Sequence, residues 1–155
     1  MTPTINIQKR LHHRKPYLFI DNVIDHSSEH LIAKKTFDSE DFFIDGHFPN
    51  APVIPGAIMQ EITTQAAGLL LTEYYSPIPD YDSNQHKGHA IGVLRAIHNA
   101  RYSHFAKPGQ ELIVIVKLIQ SIDNAFRFKA RIEINQQKIM SNEFTLVNIS
   151  DQFLY

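Results

Sequence analysis

Apolar residues follow three different rhythms along the chain. Near the N-terminus, residues 17–24 form a compact apolar segment broken only by Asp21 and Asn22, which predicts a strand. Residues 31–37 are apolar enough to pair with it, and the acidic, aromatic stretch 38–45 reads as a loop or short helix. Prolines at 49, 52 and 55 punctuate residues 46–56. Each fixes its own φ and pushes the residue before it toward extended geometry, so this loop is rigid and not helical. From Ala57 to about Tyr74 there is no proline, and apolar side chains cover most of the helical circumference. A helix apolar all round is a buried helix. Gln60, Glu61, Thr63, Thr64 and Gln65 interrupt it.

Residues 76–88, with two prolines and a glycine, form the best loop candidate, and the rhythm then changes to period two. Residues 125–134 place Phe126, Phe128, Ala130, Ile132 and Ile134 on one face and Arg127, Lys129, Arg131 and Glu133 on the other. That is the pattern of a half-buried antiparallel strand. Residues 111–119, apolar on both faces, predict a central strand, and 138–147 completes a meander. Asp123-Asn124 and Asn135-Gln136 sit where hairpin turns belong. Residues 89–97 and 101–105 read as two further short strands. One buried helix with five to seven strands is an α+β architecture, and 155 residues make a single domain, 1–155. So apolar a helix needs cover on several sides, which a strongly curved antiparallel sheet and a second subunit would supply.

Composition narrows the function. The chain is 43% hydrophobic and 20% charged, with a net charge of 15 − 16 = −1, so it lacks the basic excess of a nucleic-acid binder. Cysteine is absent, which excludes disulfides, thiolate zinc sites and a cysteine nucleophile. The longest aliphatic run, 112–116, is far short of the roughly 20 residues of a membrane span, and the first fifteen residues show no signal-peptide core. A cytoplasmic protein is expected. The basic start, with Arg10 and Arg14, reads either as solvated surface or as a docking patch.

The candidate chemistry lies between Gly46 and Gln65. His47 is held on a stiff loop, and Pro55-Gly56 leads into the helix start, whose first amides lack internal partners and suit developing negative charge on a carbonyl oxygen. Glu61 lies on an otherwise apolar helix, with Gln65 one turn on along the same face. A carboxyl in apolar surroundings tends to hold its proton and suits an acid; an imidazole titrating near neutrality suits a base. Singly, a loop histidine is usually structural and a helix glutamate usually faces solvent. Together, base, acid and oxyanion donors can remove a proton α to a carbonyl and protonate a β leaving group.

The segment 46–68, GHFPNAPVIPGAIMQEITTQAAG, resembles the signature of the β-hydroxyacyl-[acyl carrier protein] dehydratases of the FabZ/FabA type. Leu11-x-His13-Arg14-x-Pro16-Tyr17-Leu18 is similar to the family's opening motif, and 99–102 with 108–112 to a later strand and turn. The resemblance implies a hot-dog fold with the long helix wrapped by the sheet. It implies His47 and Glu61 as catalytic residues, with Glu marking the FabZ branch. The Gly56 amide would polarise the thioester carbonyl, Ala57 would place a backbone carbonyl near the histidine, and Gln65 matches the helix glutamine. No cofactor or metal is implied. The implied partner is an acyl carrier protein, and the implied unit is a homodimer with His and Glu from different protomers, with trimers of dimers as a further assembly.

Phe42, Phe43, Ile54 and Met59 are the candidate tunnel residues, and Arg10, Arg14, Arg101 and Lys107, with Arg95, the candidate docking residues. Three departures point to a relative specialised beyond fatty acid synthesis, for a polyketide-like or aryl polyene pathway: His12 for proline, about four extra residues between Gly92 and Asn99, and Thr63-Thr64 in place of small apolar residues. The rival readings are a hot-dog acyl thioesterase and a non-catalytic acyl-binding scaffold. Histidine pairs 12/13, 86/89 and 98/104 lack the spacing and carboxylate of a metal site, and there is no Gly-x-Ser-x-Gly elbow.

Overall fold

The computed structural model describes residues 3–86 and 91–149. A short helix α1 (Ile7–Arg10), not expected from the sequence, opens the chain; the Asn6 side chain caps it by accepting from the Lys9 amide. Strands β1 (Asn22–His26) and β2 (His30–Thr36) pair antiparallel. The long helix α2 (Gly56–Tyr75) follows the proline loop. Then come β3 (Ile91–Tyr102), β4 (Glu111–Ile122), β5 (Ala125–Ile134) and β6 (Gln137–Ile149). They form one six-stranded antiparallel sheet in the order β1-β2-β4-β5-β6-β3.

The sheet curves round α2, which packs against β2, β3, β4, β5 and β6. Register shifts, at Val23/Asp25, Leu94/Ala96, Ile97/Asn99, Leu118/Gln120 and Ile132/Glu133, supply the bending. Ile62, Leu69 and Leu70 of the helix are fully buried among Val114, Val116, Phe128 and Phe144 of the sheet. Each such side chain contributes roughly 1.5–3 kcal/mol of transfer free energy. The alternation at 125–134 holds as expected, and the Asn135-Gln136 turn has positive φ at both residues, as a tight hairpin requires.

Three elements differ from expectation. The first strand begins at Asn22 and not at Tyr17, because the Gln65 side chain binds the backbone there: it accepts from the Phe19 amide and donates to the Tyr17 carbonyl, both at 2.8 Å. The two short strands 89–97 and 101–105 are one strand, β3, from Ile91; residues 89–90, with His89, lie outside the described residues, as do 150–155 of the expected domain. Two bulges fall in the stretch 92–99 and leave Arg95 and His98 out of register with β6.

Gln60, Thr63 and Thr64 of α2 are buried but partnered. Thr63 and Thr64 hydroxyls both donate to the Gln60 carbonyl, and Asn142 of β6 donates to Gln60 Oε1 and Thr63 Oγ1, each at 2.8 Å. These bonds offset the cost of placing hydroxyls in the core.

Candidate active site

His47 is fixed by its own backbone loop. Its amide donates to the Ile44 carbonyl at 3.0 Å, and its carbonyl accepts from the Val53 amide at 2.9 Å. Ring Nδ1 lies 3.0 Å from the Val53 carbonyl oxygen. A carbonyl only accepts, so Nδ1 carries the hydrogen and Nε2 of the neutral ring keeps its lone pair. The ring stacks on Phe48, with centroids 4.3 Å apart. The arrangement is that of a base with its second nitrogen pinned. The carbonyl on the ring belongs to Val53; Ala57, linked to that position by the family resemblance, is exposed in the first turn of α2.

Beside His47 opens a mainly apolar cavity of about 440 Å³. The 47–59 segment lines one side with Val53, Ile54, Gly56 and Met59, and the end of β3 lines the other with Tyr102 and Phe105. Ile54 and Met59, two of the four expected tunnel residues, are in this lining. Phe42 and Phe43 are not in this lining: Phe43 packs edge-on against Phe37 and Phe19, and Phe42 is exposed beside it. Gly56 is the first residue of α2, and Pro55 before it offers no side-chain cap, so the first amides of a 20-residue helix stay open to a ligand. A Cβ on Gly56 would lie 3.1 Å from the Tyr102 ring. Only glycine lets that ring close over the helix start.

Glu61 lies in a second environment. Its side chain is about one-fifth exposed, and burial pushes its carboxyl above the usual carboxylate range. Gln65 donates to Glu61 Oε1 at 3.1 Å, which pulls the other way but more weakly. Gln65 Nε2 and Oε1 also hold the 17–19 backbone, so the residue is fully engaged and Glu61 is set against a rigid strap. His13 approaches the same oxygen, Nε2 to Oε1 being 3.6 Å. Glu61 does not line the cavity that His47 lines.

Of the candidate docking residues, Arg10 and Arg14 are occupied within the chain. Arg10 pairs with Glu73 at 2.6 Å and reaches Asp80 and the Tyr81 carbonyl. Arg14 donates to three carbonyls and to Ser83 and Asn84. Arg95, Arg101 and Lys107 are exposed and form no ion pair among the described residues. Among the described residues no cluster of three His, Asp or Glu is placed to hold a metal ion. His12 bonds to Tyr81, His98 to Thr145 and His104 to Gln137. No helix among the described residues is long and apolar enough to cross a membrane.

Val53, Tyr102 and Phe105 were not singled out from the sequence. Tyr102 belongs to the quoted 99–102 match, but only the bulged path of β3 brings it over Gly56.

Residues 11–143 match the FabA-like domain family. The chain is 34% identical over 131 residues to the 3-hydroxyacyl-[acyl-carrier-protein] dehydratase FabZ of Petrotoga mobilis, covering 84% of this chain and 86% of that protein. It is 36% identical over 141 residues to the dehydratase of the same name from Albidiferax ferrireducens, covering 90% and 89%. In structure it is similar to a chain of the dehydratase heterocomplex ApeI:P from Xenorhabdus doucetiae, with a TM-score of 0.79, 15% identity and 98% and 96% coverage, a likeness that shows the fold.

Proposed function

The chain belongs to the FabA-like domain family, and from that membership we infer that it is a 3-hydroxyacyl-[acyl-carrier-protein] dehydratase, a hydro-lyase of fatty acid or related biosynthesis. Its substrate is a (3R)-3-hydroxyacyl thioester on the pantetheine arm of an acyl carrier protein, and its product the trans-2-enoyl thioester. Arg101 and Lys107, exposed and in no ion pair among the described residues, flank in sequence the cavity-lining residues 102–105 and are its docking residues. The cysteine-free sequence suits a reducing compartment, and the cytoplasm is the one assigned.

One observation carries the assignment of roles: a histidine whose Nδ1 is pinned by Val53 shares its cavity with the open start of α2 at Gly56. The thioester oxygen sits on the Gly56 amide, where the helix start stabilises developing negative charge. His47 Nε2 takes the α-proton. Glu61, whose carboxyl burial pushes above the usual carboxylate range, gives its proton to the β-hydroxyl. The C–O bond breaks and water leaves, with the electron pair of the α C–H bond forming the double bond.

His47 and Glu61 of one chain serve two different sites. In support, Glu61 is absent from the cavity that His47 lines. Among the described residues the twelve-residue strand β3 also ends the sheet with an unpaired edge, bearing exposed Ile97 and Tyr102 and leading to exposed Phe105. A long, apolar edge is a surface that proteins cover. The catalytic unit is therefore a homodimer, His47 of one protomer facing the other protomer's carboxyl, with trimers of dimers as the higher assembly.

The test is a panel of carrier-linked 3-hydroxyacyl and enoyl thioesters followed by mass spectrometry. Interconversion by the mass of one water, reduced at least about 100-fold in His47→Ala, is the expected result. Release of free acid would make the protein a thioesterase, and binding without a change of mass would make it a scaffold.

A further inference from the structure

The His13-Arg14 motif has no part in the mechanism above, yet it is built with care. The Arg14 guanidinium donates to the carbonyls of Gln8 at 3.1 Å, Leu11 at 2.7 Å and His13 at 2.8 Å, and to Ser83 Oγ and Asn84 Oδ1 at 3.0 Å each. Five acceptors on one side chain lock the turn that carries His13. The imidazole lies nearly parallel to the Tyr17 ring, centroids 6.2 Å apart, and turns Nε2 toward Glu61 Oε1 at 3.6 Å. Its other nitrogen, Nδ1, is buried and has no hydrogen-bond partner among the described residues.

These facts settle the ring's state. An imidazolium would carry a buried Nδ1–H with no acceptor, close to the cation of Arg14 and beside His12; burial and those neighbours hold the ring below its ordinary pKa. Of the two neutral forms, the Nδ1–H form also strands a buried donor. It would in addition set the Nε2 lone pair against an oxygen that already accepts from Gln65. The Nε2–H form strands only an acceptor and points its hydrogen at that oxygen.

We propose that His13 is a positioning residue for Glu61: a neutral, Nε2-protonated imidazole that, with Gln65, donates to Oε1 and so leaves the acid proton on Oε2, the oxygen that meets the leaving hydroxyl. At 3.6 Å the two atoms stand just beyond hydrogen-bond range, so the proposed donation requires the contact to tighten when substrate binds. Glu61 is faced by Gln65 from its own helix and by His13 and Tyr17 from the N-terminal strap; the Tyr17 phenol is held above its usual pKa, first by burial and then by Glu61, so it adds no charge. The inference rests on Glu61 being the acid.

The test compares His13→Leu, which removes the donor, with His13→Gln, which keeps an N–H in place of Nε2, and runs Glu61→Gln beside them. His13→Leu lowers kcat about tenfold with KM changed by less than about twofold. The alkaline limb of its kcat profile moves to higher pH, since a carboxylate that loses a donor holds its proton more tightly. His13→Gln recovers most of the rate and the limb. A His13→Leu enzyme with wild-type kcat and limb, or a His13→Gln enzyme as slow as His13→Leu, overturns the proposal. An active Glu61→Gln enzyme overturns the acid role of Glu61 as well; an inactive one beside a fully active His13→Leu overturns only the role of His13. Should His13→Leu fail to fold, nitrogen NMR of the wild type decides: a neutral Nε2–H ring at pH 7 is expected, and an imidazolium or an Nδ1–H ring contradicts it.

Discussion

Gln65 donates to Glu61 Oε1 at 3.1 Å from one turn along α2, and the same amide group holds the Phe19 amide and the Tyr17 carbonyl at 2.8 Å. One side chain thus makes the first strand begin late and holds the Glu61 carboxyl. The tie between the N-terminal strap and α2 and the carboxyl proposed as the acid thus meet at a single residue.

Replacing Gln65 with Leu removes all three bonds at similar volume. Two backbone groups are then left in a largely buried setting, at about 1–3 kcal/mol each. The melting temperature should fall by about 4–24 °C, on the usual scaling for a domain of this size. The rate should fall about tenfold as Glu61 loses its support. Calorimetry and kinetics on the same preparation check both. A variant that melts early yet turns over at the wild-type rate would separate Gln65 from the acid.

Gly56→Ala places a methyl 3.1 Å from the Tyr102 ring. The ring is a side chain and can swing away, so the protein folds. The displaced ring enters the cavity beside His47, and kcat/KM should drop about tenfold. Tyr102→Ala in the same background should restore part of it. No loss in Gly56→Ala would mean that substrate does not use the space at the helix start.

Burial raises the Glu61 pKa, so the folded state binds this proton more tightly than the unfolded chain does. The resulting stability is present in full below the unfolded carboxylate pKa and is lost as pH rises through the folded value. Glu61→Gln removes the titration. Its melting temperature relative to wild type should therefore rise from pH 4 to pH 8. A difference that stays constant over that range would place Glu61 in a solvated setting.

A site shared between protomers gives a distinctive result on mixing. His47→Ala and Glu61→Gln homodimers should each be inactive. A mixed dimer has one site with both residues and one with neither. Half the dimers are mixed at equal ratio and half their sites are intact, so about one quarter of wild-type activity should return. A mixture that stays inactive after subunit exchange would place both residues of a site in one chain.

Much of this was legible before any coordinates. The α2 boundaries came out within one residue at each end, because proline punctuation before the helix and unbroken apolar cover along it are strong local signals. The 125–134 alternation was equally plain. The first strand was placed too early because an apolar segment looks the same whether a strand or a glutamine side chain binds its backbone. The bulges of β3 were invisible, since an inserted residue carries no mark of which register it breaks. Arg10 and Arg14 read as docking cations because charge is local in sequence, while Glu73, Asp80, Ser83 and Asn84 that occupy them lie more than sixty residues away. In the sequence His13 shows only as part of a motif and of the 12/13 histidine pair; its contact with Glu61 depends on how the N-terminal strap crosses the helix.

The most direct measurement follows the β-oxygen. A carrier-linked (3R)-3-hydroxyacyl thioester is incubated with the enzyme in heavy-oxygen water and its mass read over time. Reversible loss and return of water at the β-carbon should place label in the 3-hydroxyl of intact thioester, with enoyl thioester beside it, and His47→Ala should exchange nothing. Label appearing instead in a free carboxylic acid, or an unlabelled thioester after many enzyme equivalents of time, would contradict dehydration at this site.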